Sequence, residues 1–295
     1  MELAKLQAEL IGLQNDPSLY VENNLHGREK ALDYIDFIGA VARARNCDAH
    51  LAALHQQAQL LKARLQQINT NLFVHLRTKI QAGAYTPAEL RQLLNPFTTY
   101  AQGNAGQAHI GYDGLDVLLG GLFEMEPPPQ ARQALTADMV HYEPTPARVM
   151  LDLVDHCAFA PDDVFYDLGS GLGYVALTIH LLTGIKAKGV EFEPLFCAYA
   201  QNCARQLGLS AVEFINADAR EADYSDGTLF YLFTPFKNLL LQTVLDRLKE
   251  VAQTKMIKIF TYGACTRPVA RQSWLHSLDD NANHEFKLAI FEGKA

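Results

Sequence analysis

Three acidic residues stand at, or just beyond, the ends of strand-like apolar segments in the second half of the chain: Asp167, Glu191 and Asp218. The first of them opens a glycine-rich stretch that reads DLGSGLGY over residues 167–174. In parallel α/β sheets the carboxyl ends of the strands meet at one edge, and ligands bind there. The sequence therefore predicts a single binding site made from a glycine loop and three acids.

The glycine spacing distinguishes between nucleotide ligands. A dinucleotide fingerprint, G-x-G-x-x-G, would place its third glycine at Tyr174, but the glycine lies one residue earlier, at Gly173. A P-loop requires Gly-Lys-Ser/Thr, and this segment has no lysine or arginine before Lys186. A carboxylate at Asp167 would repel a pyrophosphate and attract an ammonium group. These features favour S-adenosylmethionine (SAM), which lacks phosphate and carries an amino group and a sulfonium.

Each acid has a predicted contact with this cofactor. Asp167 would take the methionyl amine, directly or through water, Glu191 would accept from both ribose hydroxyls, and Asp218 would accept from the adenine amino group. Taken singly, the loop could be an ordinary strand-to-helix turn, Glu191 a solvated strand end and Asp218 a helix cap. Because all three acids lie at, or just beyond, the carboxyl ends of successive predicted strands, a cofactor site is favoured. Its other predicted members are Gly169, Gly171, Gly173 and Ala219.

The elements that must position these residues follow from the hydrophobic pattern. Predicted strands span residues 164–167, 187–191, 212–216, 228–233, 256–262 and 286–291, and predicted helices span 172–182, 194–207 and 238–251. Strands that alternate with helices of this length predict βαβ units on a parallel sheet that is buried on both faces. The predicted fold class is therefore α/β.

The chain before this sheet has a different character. Residues 1–94 are predicted to form a helical module, because apolar residues recur at helical spacing. We interpret this stripe as the core of an antiparallel bundle; a partner-binding or dimerising coiled coil is the alternative. Residues 95–135 are rich in glycine and proline, which predicts a connector or lid with one short helix. The third predicted domain spans residues 136–295.

Composition argues against several function classes. The formal net charge is −8 and no basic stripe occurs, which argues against a nucleic-acid substrate. No apolar run is long enough to span a bilayer, so no membrane association is expected. The five cysteines are scattered and form no CxxC, which argues against a zinc site and predicts reduced thiols in a cytoplasmic protein.

Residues 142–248 resemble the class I, seven-strand SAM-dependent methyltransferases. Three elements carry the resemblance: Tyr142-Glu143-Pro144-Thr145-Pro146, then DLGSGLG, then Gly189-Val190-Glu191. The pattern is most similar to seven-strand protein lysine methyltransferases, namely the histone group (disruptor of telomeric silencing) and the mitochondrial group that acts on ATP synthase and the adenine nucleotide translocase. The resemblance implies a Rossmann-like seven-strand sheet, with Tyr142 and Thr145 over the methionine end of the cofactor. Alternatively, Thr145 caps a helix that starts at Pro146.

The acceptor side is predicted at Phe233-Thr234-Pro235-Phe236, directly after the fourth strand. Methyltransferases of exocyclic or amide nitrogens typically have Asp/Asn-Pro-Pro-Tyr/Phe here, and the histone group has Asn-Asn-Phe-x-Phe; this chain has neither. We predict Tyr142, Thr234 and Phe236 as catalytic residues, although Phe236 could equally begin the apolar face of the next helix. Tyr262 is more simply core, and His141 more simply a surface residue.

The predicted function is methyl transfer from SAM to a protein side chain, with lysine as the acceptor. A protein substrate is therefore the expected partner, and the helical module would help to present it. Two alternatives remain open at this point: a small-molecule N- or O-methyltransferase that uses the helices as a lid, and a non-catalytic SAM-binding adaptor. No metal is predicted in any of these cases.

Overall fold

The computed structural model describes residues 3–44, 49–98, 111–124, 129–134 and 136–293. The helices are α1 (Leu3–Asn15), α2 (Leu25–Ala44), α3 (Ala49–Gln81), α4 (Pro87–Leu94), α5 (Gly114–Leu122), α6 (Ala147–His156), α7 (Tyr174–Thr183), α8 (Pro194–Gln206), α9 (Asn238–Ala252) and α10 (Thr266–Ala270). The strands are β1 (Val164–Leu168), β2 (Lys186–Glu191), β3 (Val212–Asn216), β4 (Leu229–Phe233), β5 (Ile257–Tyr262), β6 (Leu275–Ser277) and β7 (Ala289–Gly293).

The strands form one seven-stranded sheet in the order β3-β2-β1-β4-β5-β7-β6. The first five are parallel, and β7 runs antiparallel to both β5 and β6. Strand β1 pairs with β2 on one side and with β4 on the other, so the switch in strand order lies at its carboxyl end. This is the Rossmann-like α/β sheet that the sequence predicts, and the fold class is confirmed.

The strand predictions succeed for the five parallel strands and fail near the end of the chain. β3 has its predicted bounds, and the other parallel strands differ by one residue at one end. The last strand lies later than predicted, because Ala289, Phe291 and Gly293 point inward while Phe286 is exposed. β6 was not predicted, since its three residues are all at least partly exposed.

The apolar stripe of α3 is core, as interpreted from its spacing. Its buried members include Leu54, Leu61, Leu65, Leu72 and Leu76. The first three pack with α1 and α2, whereas Leu72 and Leu76 belong to the same buried cluster as residues from one face of the sheet. The end of α3 therefore belongs to the same core as that face of the sheet, and the proposed domain division at residue 94 stays a prediction.

A buried arginine joins α2 to α3. The guanidinium of Arg28 donates to the side-chain oxygen of Asn69 and to the backbone carbonyl oxygens of Leu19, Val21 and Glu22. Burial lowers the pKa of Arg28, although two nearby carboxylates act in the opposite direction. These hydrogen bonds offset the cost of removing the charged group from water.

No helix among the described residues has the length and apolar character needed to cross a membrane.

Candidate functional site

The glycine loop connects β1 to α7. The backbone N–H groups of Gly169 and Ser170 both donate to the carbonyl oxygen of Val190 on β2, at 2.9 and 3.0 Å. Gly169, Gly171 and Gly173 have φ values of 79°, 52° and 84°, a region that residues with a side chain rarely adopt. The alternating glycines therefore reflect a backbone that reverses tightly beside the end of β2.

Tyr142 lies against this loop. A Cβ atom at Gly171 would stand 2.2 Å from Cε2 of Tyr142, so the ring occupies the space that a side chain there would need. The ring is 5.7 Å from that of Phe196 on α8. Burial and the nearby Asp167 raise the pKa of Tyr142 above its ordinary value, which keeps it a neutral phenol near neutral pH.

Glu191 holds the loop from the end of β2. Its two carboxylate oxygens accept from the backbone N–H groups of Gly171 and Glu193, each at 2.7 Å. Burial raises the pKa of Glu191, and these two hydrogen bonds oppose the rise. One side chain therefore fixes the middle of the glycine loop relative to the start of α8.

Asp167 is buried beneath the loop and does not line the cavity described below. Burial, and then the charge of Glu191, raise the pKa of Asp167 to about 8. Two carboxyl groups that share a poorly solvated site resist simultaneous ionisation. A cationic group at this position would relieve that repulsion, so the observed arrangement fits an ammonium-bearing ligand.

Asp218 and Ala219 follow β3 and line the cavity. The Asp218 carboxylate accepts from the Arg220 backbone N–H at 2.9 Å and from the Arg220 guanidinium at 3.0 and 2.6 Å. The hydrogen bonds to Arg220 lower the pKa of Asp218. Asp218 is therefore ionised and oriented, and its Oδ2 retains a lone pair for a further donor.

A cavity of about 940 Å³ opens at the carboxyl ends of the strands. Of the predicted site residues, those that line it are Tyr142, Gly169, Glu191, Asp218, Ala219, Thr234 and Phe236. Its acidic lining residues are Glu143, Glu191, Glu193, Asp218 and Glu285, and no lysine or arginine lines it among the residues that the structure describes. The cavity thus suits a positively charged ligand.

Part of the connector forms one wall of the cavity. Pro129 and Ala131 line it, and the backbone N–H groups of Arg132 and Gln133 donate to the Glu193 carboxylate at 2.8 and 2.7 Å. Glu193 is buried and also accepts from a backbone N–H in the first turn of α8. Its place before Pro194 signals a helix start, but no sequence pattern indicates its contact with residues 132–133.

The acceptor-side turn has a strained residue. Thr234 has φ of 42°, which is unfavourable for a β-branched residue. Its hydroxyl accepts from the Cys265 backbone N–H at 3.2 Å and donates to the Tyr262 carbonyl oxygen at 3.3 Å. The hydroxyl is thus engaged with the end of β5.

Phe236 precedes α9, which begins at Asn238, and its predicted catalytic role stays a prediction. It is 6% exposed and packs within the cluster that contains Leu240 of α9, yet it also lines the cavity. A β-bridge joins it to Met139, and the Val140 backbone N–H donates to the Pro235 carbonyl oxygen at 3.3 Å. The segment before Tyr142 is therefore bound to the acceptor-side turn.

Thr145 is buried behind the cavity. Its hydroxyl lies 3.2 Å from that of Tyr231, and it does not line the cavity. The alternative role as a helix cap is wrong, because α6 begins at Ala147, with Pro146 as the N-cap residue and no side-chain cap. The predicted cofactor contact of Thr145 remains a prediction. Among the described residues, no cluster of three histidine, cysteine or acidic residues could hold a metal.

The remaining two candidates lie in different environments. Tyr262 is 1% exposed and its ring lies 5.4 Å from that of Phe233, so it is core, as expected. His141 is exposed and lines the cavity, in agreement with its interpretation as a surface residue.

Replacing Gly171 by alanine tests the contact between the loop and Tyr142. Gly208 is the matched control, since its φ is 71° but a Cβ there would meet nothing within 4 Å. We expect Gly208→Ala to lower the free energy of unfolding by about 1–2 kcal/mol through backbone strain alone. Gly171→Ala should cost roughly 1 kcal/mol more, because the ring must leave its packed position. Equal losses in urea unfolding would contradict the contact.

Replacing Asp167 by asparagine tests its buried carboxyl group. In the unfolded chain this carboxyl ionises near its ordinary pKa of 3.8, whereas in the fold it ionises near 8. Its contribution to the free energy of unfolding should therefore fall as the pH rises from about 4 to about 8. Asp167→Asn should remove that fall and unfold at higher temperature than the unmodified protein at pH 8.

Asp163→Asn is the control for this measurement. Asp163 lies beside the opposite end of β1, and its carboxylate accepts from the Ala160 backbone N–H and the Thr228 hydroxyl. We expect this variant to gain no stability at pH 8. A thermal-melt series in which Asp167→Asn follows the pH dependence of the unmodified protein would show that Asp167 is not the titrating group.

Residues 135–228 match a family model described as "Histone methylation protein DOT1". No curated relative matches the chain. Among solved structures, the chain is similar to the RNA methyltransferase of Salinibacter ruber in complex with S-adenosyl-L-homocysteine, at 23% identity over 51% of this chain and 92% of that chain, with a TM-score of 0.40.

Two further structures are similar at lower identity. One is precorrin-6y C5,15-methyltransferase from Geobacter metallireducens GS-15, at 14% identity over 55% of this chain and 94% of that chain, with a TM-score of 0.38. The other is geranyl diphosphate C-methyltransferase from Streptomyces coelicolor A3(2), at 13% identity over 51% and 77%, with a TM-score of 0.39. The segment that the family model matches contains the glycine loop. In the sheet that this segment helps to form, the last strand, β7, lies between β5 and β6 and runs antiparallel to both. The chain is therefore a class I, seven-strand, SAM-dependent methyltransferase.

Proposed function

We propose that this methyltransferase acts on a protein side chain and that its acceptor is the amino group of lysine. The acidic lining of the cavity carries the proposal, because five carboxylates and no lysine or arginine line it among the described residues. Such a lining attracts a cationic side chain and repels the phosphates of a nucleic acid.

Exposed apolar residues beside the acids support a polypeptide acceptor. Val140, Tyr142 and Phe286 line the cavity, yet their exposed fractions are 37%, 36% and 44%. Exposed apolar groups that border a cleft commonly contact a partner chain. The description of the matched family, which names histone methylation, is consistent with the same class of acceptor.

The three acids have separate roles in cofactor binding under this proposal. Asp167 interacts with the methionyl amino group, Glu191 accepts from the ribose hydroxyls, and Asp218 with Ala219 contacts the adenine. Each Glu191 oxygen already accepts one backbone N–H and has a further lone pair for a hydroxyl. Bound SAM supplies a methyl group on a positively charged sulfur, which is activated for displacement.

On the acceptor side, the protein mainly aligns the amine and keeps it neutral. A lysine ammonium has no lone pair for in-line attack, so the amine must lose a proton. The carboxylates that attract the ammonium oppose this loss, whereas the apolar groups around Phe236 favour it by lowering the pKa of an amine that lies among them. Tyr142 does not take the proton near neutral pH, because its own pKa is raised; its role is to orient the reacting groups. Thr234 contributes its backbone carbonyl oxygen as an acceptor for an amine N–H, since its hydroxyl is already engaged.

The role of Glu191 is tested by SAM affinity. Glu191→Ala should weaken SAM binding by roughly 1.5–3 kcal/mol, the range for hydrogen bonds to a charged group. The control is Glu213→Ala, which removes an exposed carboxylate from β3 outside the cavity lining and should leave affinity unchanged. Isothermal titration calorimetry measures both. Unchanged affinity in Glu191→Ala would mean that the ribose binds elsewhere.

The acceptor is tested by transfer of radiolabelled methyl groups to a lysate, followed by separation of proteins from small molecules. We expect label in the protein fraction, recovered after acid hydrolysis as methylated lysine. Transfer should rise with pH, since the neutral amine is the reactive form. Glu191→Ala at the same concentration is the control, and it should reduce labelling by the same factor as SAM affinity when SAM is far below its dissociation constant.

Each other outcome of the labelling experiment has a distinct meaning. Label confined to small molecules would overturn the protein acceptor and indicate a small-molecule methyltransferase. Label on proteins at a residue other than lysine would overturn the lysine assignment alone. Tight SAM binding without any transfer would favour a non-catalytic adaptor and overturn the proposed function.

A further inference from the structure

The start of α5 contacts the segment that carries Tyr142. The Tyr112 hydroxyl donates to the Pro144 carbonyl oxygen at 2.8 Å and to the Glu143 carboxylate at 3.3 Å. Two residues into α5, Asp116 accepts the Ala147 backbone N–H at 2.7 Å. These contacts come from residues that precede the segment matched by the family model.

The carboxylate of Asp116 joins three helix starts. Besides the Ala147 N–H at the start of α6, it accepts the Asp113 backbone N–H of its own capping box at 2.7 Å. The Tyr174 hydroxyl, at the first residue of α7, lies 3.5 Å from the same oxygen that accepts from Ala147. Tyr174 directly follows Gly173 of the glycine loop.

Asp116 provides the N-terminal cap that the sequence of α6 lacks. The N-cap residue of α6 is Pro146, which makes no side-chain cap, and Ala147 is fully buried. A buried N–H without an acceptor is costly, so the Asp116 oxygen takes the place of a local cap. Because Ala147 lies five residues after Tyr142, this bond limits the position of the segment over the glycine loop.

We propose that Asp116 is a positioning residue of the SAM site, through which the region before the matched segment holds residues 143–147, and with them Tyr142, against the glycine loop. The proposal rests on the use of SAM and is independent of which acceptor is methylated.

The pH dependence of SAM affinity can report on Asp116, because protonation of its carboxyl group changes the hydrogen bonds that hold the segment. A residue that only stabilises the fold would not produce this pH dependence. Burial raises the pKa of Asp116 to about 6, and the hydrogen bonds from Asp113 and Ala147 act in the opposite direction. The titratable groups that face it are Asp113 of its own capping box, Tyr112 and Tyr174 of α7. A protonated carboxyl has one hydroxyl oxygen, so it no longer accepts equally from both N–H groups.

Asp116→Asn tests the proposal. Asparagine keeps the shape but has one acceptor oxygen, so we expect the SAM dissociation constant at pH 7.5 to rise about fivefold to tenfold. This is less than the loss of a direct hydrogen bond to a charged group, because Asp116 acts on SAM only through the segment that it holds. In the unmodified protein, SAM affinity should show an additional decrease below about pH 6, and this decrease should be absent in Asp116→Asn. Calorimetry between pH 5 and pH 8 measures both effects.

Asn69→Ala is the matched control, because it also removes an acceptor from a buried donor, the Arg28 guanidinium, and neither residue lines the cavity. It should lower thermal stability and leave the SAM dissociation constant within twofold. Equal weakening of SAM binding in both variants would mean that Asp116 acts only by stabilising the fold, and it would overturn the proposal. Retention of the acid decrease in Asp116→Asn would also overturn it.

A second measurement uses the unmodified protein without SAM, and it decides the question even if Asp116→Asn does not fold. Hydrogen exchange of the amides of residues 145 and 147–149, corrected for the intrinsic pH dependence, should become about tenfold faster as the pH falls through 6. Amides of α9 serve as the internal reference and should show no such change. Protection of residues 145 and 147–149 that is independent of pH would contradict the role of the Asp116 carboxylate.

Discussion

The site depends on the Glu191 carboxylate at the end of β2. One oxygen accepts the N–H of Gly171, and the other accepts the N–H of Glu193. The sheet thereby fixes the turn that begins α7 and the turn that begins α8 with a single side chain. Burying this charge is unfavourable, and the two N–H groups are what make it tolerable. A substitution here would loosen two turns at once.

The polar groups of the site form a connected chain of contacts outward from Glu191. The Tyr142 ring packs against Gly171, and Asp167 lies beneath the loop. The Glu193 carboxylate accepts from the backbone N–H groups of residues 132 and 133 in the connector wall. Backbone N–H groups hold the carboxylates of Glu191 and Glu193, and the Arg220 guanidinium holds that of Asp218. The backbone of such a cavity is held in place, but its carboxylates repel one another. A cationic ligand would reduce this repulsion.

Most of the sheet could be predicted from the sequence, because a buried parallel strand needs a run of apolar residues that can be read directly. The acids Glu191 and Asp218 could be placed from the strands, since Glu191 ends one predicted strand and Asp218 lies two residues after the next. Asp116 could not, because its partners are backbone N–H groups distant in the chain, and such contacts leave no pattern in composition or spacing. Thr145 shows the limit of local rules: a threonine before a proline suggests a cap, yet tertiary packing turns its hydroxyl towards Tyr231.

The wall formed by residues 129–134 has a consequence for how this site can change. Glu193 holds it through main-chain N–H groups, which every residue except proline provides. The side chains at 132 and 133 are therefore free to vary while the wall keeps its place. Substrate preference could drift at this wall during evolution, or be redesigned there, without dismantling the cofactor framework beneath it.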